Sequence, residues 1–477
     1  MPALPRNPSL TNATKVIKSH SLIRKEKEML LNFTVGNWMS YRDEASLNMV
    51  ASLERQHART LAKIPGFRSK KALPVAAVYG GNASGKTGLF KGMAALKHMV
   101  TGETGVDELL PIEPFMLERG SASEPTVFDV TFLAGRTVYR YVVEATLDGV
   151  SYESLERVLE KESIDIFERD ELSEDGKYTF NESCLGPSDF LEFVGKSTRR
   201  NQTFLGSAVS QNVETLQEAY DWFADTLQLV GVESHAWTFA NAAGTREGFF
   251  EYAEDTLSRL DTGICGLTGE RLDLDALPKS AKLRKRVAGL EADEIMTLVM
   301  EKAPGDYGFE MITVHVDDGR PVVERMRTLH QGADGEKRSF GLGMESSGTQ
   351  RLMGLLPMLF DLQGSDDSMG SKVYVVDELD RCLHTMLTTR LVEDFLATCG
   401  PDTRKQLLFT THDLLLMDQS LMRRDEMYIA QRGADGKSEL VGLTEFDGIR
   451  YDKDLIRSYL DGRFGGIPML REEAARG

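Results

Sequence analysis

Four short stretches of this chain carry residue types and spacings that could do chemistry. Gly80-Gly81-Asn82-Ala83-Ser84-Gly85-Lys86-Thr87 fits G-x-x-x-x-G-K-[ST] in full. Glycines are needed in such a loop because its backbone amides must turn inward together, and some positions then take positive φ. Lys86 would bring a cation to the β- and γ-phosphates of a nucleotide, and the Thr87 hydroxyl would ligate Mg²⁺. A plain glycine-rich turn is the alternative, and the flanking sequence argues against it. The second stretch ends in Asp377-Glu378. Asp377 could support the shell of a metal ion, and Glu378 could polarise a water beside the γ-phosphate. The third is Thr411-His412-Asp413, where His412 could hydrogen-bond a γ-phosphate, although a lone histidine is often structural. The fourth, Glu345-Ser346-Ser347-Gly348-Thr349-Gln350-Arg351, could be a second anion nest or only a helix cap.

The elements that must hold these groups are legible around them. Leu73–Tyr79 is an apolar run that ends on the glycines, and Leu89–Val100 has helical spacing, so the loop stands between a buried strand and a helix. Lys372–Val376 is an apolar strand that runs into Asp377-Glu378, and Gln406–Thr410 is another that ends at His412. Open α/β sheets gather ligand groups at such strand ends. Leu30–Val35 starts the fold. From Val127 to Leu147 the pattern alternates with period two, with a tight turn at Asp148-Gly149, and predicts an antiparallel β-lobe that Ser163–Glu168 continues.

Four parts follow. Residues 1–28 read as a polar extension expected to be disordered. Residues 29–204 hold the phosphate loop and the β-lobe, and 205–305 read as a helical insertion. Residues 306–477 carry the remaining chemical stretches. Gly364–Ser371 reads as a short linker.

Two phosphate cradles in one chain make sense if the second serves a nucleotide held by another copy. Taken together, the stretches resemble the ABC ATPase heads of RecF-like and SMC-like proteins. Gly80–Thr87 is similar to their Walker A loop in its G-x-N-x-x-G-K-[ST] form. Glu345–Thr349 resembles the signature loop, with Ser347 where many members have glycine. Val373–Glu378 resembles Walker B with its glutamate, Leu379–His384 the D-loop region, and His412 the switch histidine. More narrowly, the chain resembles the prokaryotic "AAA family ATPase" group of abortive-infection and phage-defence loci, of the RloA/AbiL type, with relatives in Septu, retron and PARIS systems. Met29–Leu47, Pro74–Lys91, Pro114–Leu133 and Gly462–Pro468 are among the stretches that carry it. The resemblance implies an ATP- and Mg²⁺-dependent hydrolase. Two copies would sandwich each nucleotide head to tail, and the dimer would switch a separately encoded effector, a nuclease. A glutamine of the Q-loop kind has no clear place, and Gln202 and Gln211 are candidates by type alone. No heptad arm of SMC length is present. A RecF-like ATPase acting directly on DNA and a non-hydrolysing scaffold are the rival readings.

Composition sets outer limits. The net charge is −18 and the pI near 5.1, so any nucleic-acid contact needs a local basic patch. Arg199-Arg200, Lys279–Arg286 and Arg423-Arg424 are the spots considered, and a solvated face is the ordinary alternative. Trp222 and Trp237 read as core residues. Cys184, Cys265, Cys382 and Cys399 are scattered and read as reduced, mostly buried thiols of a cytoplasmic protein. No apolar run reaches membrane-span length.

Overall fold

The computed structural model describes residues 28–466 apart from 103, 174–176, 233–234, 261, 291–294, 302–308, 318, 365–370 and 447–453. The extension assigned to residues 1–28 therefore lies, but for Glu28, outside the described residues. So does most of the Gly364–Ser371 linker. The described residues form two compact units, one of Val232–Gly364 with Arg381–Leu387 and one of the remainder.

In the larger unit, Val75–Tyr79, Val373–Val376 and Gln406–Thr410 are buried at every position. Such continuous burial is the pattern of strands in parallel sheets, which are covered on both faces. Here they make a six-stranded sheet in the order Leu227–Val230, Val373–Val376, Gln406–Thr410, Val75–Tyr79, Met427–Arg432, Ser438–Gly442. Only the last pair is antiparallel. The fold class is thus α/β.

The alternating segments form a second, wholly antiparallel sheet of seven strands. Met29–Gly36 sits inside this sheet, paired with Ala45–Asn48 on one side and Thr126–Ala134 on the other. The helix Lys86–Thr101 shares one core with both sheets through Val35, Trp38, Met93, Leu96, Ala76 and Val78. Buried Gln406 ties the sheets together: its amide donates to Leu30 O and Leu73 O and accepts from Leu30 N. Trp222 stacks on Phe132 with centroids 4.5 Å apart, which is core packing.

The segment 205–305 is not uniformly helical. Leu227–Val230 is the edge strand of the parallel sheet. Ile264–Leu272 and Ile295–Glu301 belong to a five-stranded antiparallel sheet with Phe309–Asp317, Arg320–Gln331 and Lys337–Gly341. Glycine-broken apolar residues fit a helical period over short windows, but cross-strand partners decide the outcome. With helices including Phe249–Arg259 and Ser347–Gln363, this sheet makes up the smaller unit. The four cysteines are free, and none is buried: three are half-buried and Cys382 is exposed. Among the described residues no helix is long and apolar enough to cross a membrane.

Candidate nucleotide site

The strand Val75–Tyr79 delivers the chain into the glycine loop at its C-terminal end. A Cβ at Gly80 would stand 2.4 Å from Ala430 O. Gly85 has φ +111°, and a Cβ there would meet the Tyr41 hydroxyl at 2.9 Å. Ala83 also takes positive φ, 59°. The loop is therefore held tightly against its surroundings at two glycines and curls back at a third position. The Tyr41 hydroxyl donates to Gly85 O at 3.1 Å and Trp38 Nε1 to Gly88 O at 2.8 Å, pinning the junction of loop and helix to the turn at Trp38–Tyr41. Gly466, from the Gly462–Pro468 stretch, accepts a bond from Gly81 N at 3.0 Å. Ile467 and Pro468 lie outside the described residues.

Lys86 is buried, and its ammonium donates to Gly80 O at 2.8 Å and Gly81 O at 2.9 Å. Burial holds it below the ordinary lysine range, while Glu378, Asp377 and Asp380 push the other way. Thr87 Oγ1 donates to Asp377 Oδ1 at 3.3 Å. Asp377 is buried at the end of Val373–Val376 and Glu378 follows it with φ +50°, a left-handed conformation rare for a side chain of this kind. The Thr410 hydroxyl holds both: it donates to Asp377 Oδ1 at 2.7 Å and accepts from Glu378 N at 2.7 Å. Asp380 accepts from His412 N at 3.2 Å, which fixes the exposed His412 at the end of the neighbouring strand.

These groups converge. A cavity of about 890 Å³ is lined by Asn82–Gly88, Glu378 and His412 together with Met39, Pro114–Leu117 and Arg432. A phosphate chain suits the glycine-loop lining. Helix Lys86–Thr101 begins there with no side-chain cap, and apart from Gly88 N, which donates to Gly85 O at 2.8 Å, its first amides are free for an anion. Ser84 Oγ is buried without a partner in the loop itself. Thr87 and Asp377 present adjacent oxygens of the kind a hard divalent cation takes. The arrangement can bind a triphosphate and place a carboxylate and an imidazole beside its far end.

The structure thus brings Gly80, Asn82, Gly85, Lys86, Thr87, Asp377, Glu378 and His412 together in the larger unit. Ser346, Ser347 and Gly348 belong to the smaller unit. There Ser346 caps the helix Ser347–Gln363, its Oγ accepting from Thr349 N at 3.1 Å. A Cβ on Gly348 would stand 2.6 Å from Cys382 O, so the loop keeps close contact with the segment just after Asp380-Arg381. Gln202 and Gln211 are engaged elsewhere, Gln202 with Arg169 and Arg199 and Gln211 with Ser197 and Ser207. Neither lines the cavity. Thr410, Asp380, Met39 and Arg432 were not singled out by sequence reasoning. Thr410 and Asp380 were within reach of it, being a polar residue at a strand end and an acid two residues past Glu378.

A P-loop ATPase is the class these features define. A family described as "AAA domain, putative AbiEii toxin, Type IV TA system" matches residues 75–418, more than half of the chain, and the chain belongs to that family of ATP-binding proteins. Among solved structures it is similar to the SMC head domain from Thermotoga maritima, at 12% identity and TM-score 0.36 over 87% of this chain and 98% of that one. It is similar also to the recombination mediator protein RecF with ATP, at 13% identity and TM-score 0.35 over 89% of this chain and 100% of that one. At such identities the likeness says nothing of activity. No curated protein matches the sequence.

Proposed function

We propose that this chain hydrolyses ATP to ADP and phosphate in a head-to-tail dimer, and that the resulting opening and closing switches a separate effector protein. One observation carries the reading: Lys86, Thr87, Glu378 and His412, drawn from three strand ends, line one cavity, with Asp377 bonded to Thr87 behind it.

The apolar lining, Met39 and Pro114–Leu117, takes the nucleobase, and the amides of Asn82–Thr87 take the phosphates. Lys86 exchanges its carbonyl partners for phosphate oxygens, whose negative charge favours the ammonium form against the cost of burial. Thr87 and Asp377 would hold a magnesium ion, which when bound draws charge from the phosphate oxygens. Glu378 orients the attacking water and accepts its proton, and the strained backbone that aims it is held by Thr410. His412 donates to the γ-phosphate and registers its loss.

Ser346–Gly348 of a second copy would close over the phosphates from the other side. Because the γ-phosphate then belongs to the interface, binding favours the closed pair and hydrolysis releases it. The family description, with its reference to a toxin system, supports a defence role, and the effector would be a nuclease encoded nearby.

Mixing two inactive variants tests the sandwich. Lys86→Ala and Ser347→Arg should each abolish turnover. In a head-to-tail dimer an equal mixture should recover about a quarter of wild-type activity, since half the dimers would carry one intact site. No recovery on mixing would refute the shared site.

A further inference from the structure

Residues 55–71 contain Arg55, Arg59, Lys63, Arg68, Lys70 and Lys71 and not one acid, in a chain of net charge −18. All six cations are exposed, and among the described residues none of their side chains has an ion-pair partner. The acids bordering the segment are engaged otherwise. Glu54 pairs with Arg424, Asp425 with Arg423, and Glu160 accepts the backbone amide of Arg68 at 3.1 Å.

The segment is firmly mounted. Leu61, Ala62, Ile64 and Ala72 are buried, and Ala62–Lys63 pairs with Lys71–Ala72 so that Lys63 stands directly opposite Lys71. Like charges opposite each other across a ladder repel, so the sequence keeps an unfavourable pair on a rigid support. Lys63 N donates to Pro401 O at 3.0 Å, and buried Arg423 donates to Glu54 O at 3.0 Å. The segment enters Val75–Tyr79 at the end of that strand opposite the phosphate loop, so it is separate from the nucleotide cavity.

We infer that this segment binds the phosphate backbone of a nucleic-acid duplex. Six long cations on a fixed platform suit evenly spaced phosphates, which position a protein without reading sequence. Single strands are usually held by stacking bases on exposed aromatic rings. The segment has no exposed ring to offer: Phe67 is half-buried against the core of Leu31, Ala62 and Ile64 with Lys70 over its face, and the half-buried His57 ring is bonded to Gln419 O. The inference stands apart from the ATPase reading.

Fluorescence anisotropy of the full chain with 30-base-pair DNA and RNA duplexes, across 50–200 mM salt, tests it. With about six phosphates neutralised, affinity should fall roughly a thousandfold over that range. Changing all six cations to Gln should weaken binding at least about a hundredfold at low salt, by loss of those contacts, with melting temperature and ATP turnover unchanged. If that variant does not fold, Arg59→Gln with Arg68→Gln should still flatten the salt slope by about two. The same loss from Lys279, Arg284, Lys285 and Arg286→Gln, with the six-residue variant still binding, would place the contact on the helix Ala281–Ala288 and overturn the inference. So would tighter binding of a poly-glutamate peptide than of either duplex, which would assign an acidic protein instead.

Discussion

The Thr410 hydroxyl donates to Asp377 Oδ1 at 2.7 Å across two neighbouring parallel strands, 33 residues apart in sequence. The same oxygen accepts the amide of Glu378, so one small side chain orients both acids. Thr410→Val keeps the shape and removes both bonds. Turnover should fall about 10–100-fold, as for other residues that orient a catalytic group through a hydrogen bond. ATP affinity should be little changed, and steady-state kinetics beside equilibrium binding would separate the two.

The apolar lining of the cavity should govern binding rather than chemistry. Met116 and Leu117 are 70% and 62% exposed and flank the proposed nucleobase position. The segment bearing them is held by Arg42, which pairs with Glu118 and Glu124 at 2.8 Å each. Leu117→Asp should raise the Kd for a fluorescent ATP analogue about tenfold, a loss of about 1.4 kcal/mol, with kcat at saturation retained.

Gly348 should tolerate no side chain. A Cβ there would approach Cys382 O to 2.6 Å, and backbone cannot step aside as a flexible side chain can. Gly348→Val should abolish turnover while leaving ATP binding by Gly80–Thr87 intact, as measured by nucleotide titration. Loss of binding as well would contradict the assignment of this loop to the partner's nucleotide.

Glu426 gives a pH dependence with a definite sign. Burial raises its carboxyl from 4.5 to about 8, with the nearby charge of Asp425 adding and Arg423 opposing. The folded chain therefore keeps a proton that the unfolded chain releases near 4.5. Between those values the folded state binds more protons, so stability falls as pH rises. Wild-type melting temperature should drop from pH 5 to pH 8.5. Glu426→Gln should reduce that drop, and calorimetry at the two pH values would measure it.

The phosphate loop was legible because its eight residues are contiguous and its chemistry is local. The strands ending at Asp377 and His412 were legible as apolar runs. Thr410 and Asp380 could be noticed by position, as a polar residue at a strand end and an acid just past Glu378, but their partners depend on the register of strands some thirty residues apart. Leu227–Val230 is four residues long between helices and pairs, among the described residues, only with a strand near residue 375, so nothing local marks it as strand. Arg423-Arg424 read as a basic surface spot, yet Arg423 is fully buried and bonded to Asp425 and to the carbonyls of Glu54 and Gln56. Charge alone cannot distinguish a solvated arginine from one that organises a loop. Residues 55–71 form a connector without a chemical motif, and only their lack of acids sets them apart in the sequence.

The central claim is that Glu378 acts on a nucleotide cradled by Gly80–Thr87. Single-turnover hydrolysis by Glu378→Gln, with ATP binding measured on the same preparation, tests it most directly. The expected result is ATP bound as in the wild type and a rate reduced about 10²–10⁴-fold, the usual worth of a positioned acid–base group. A variant that binds ATP and cleaves it at the wild-type rate would contradict the account.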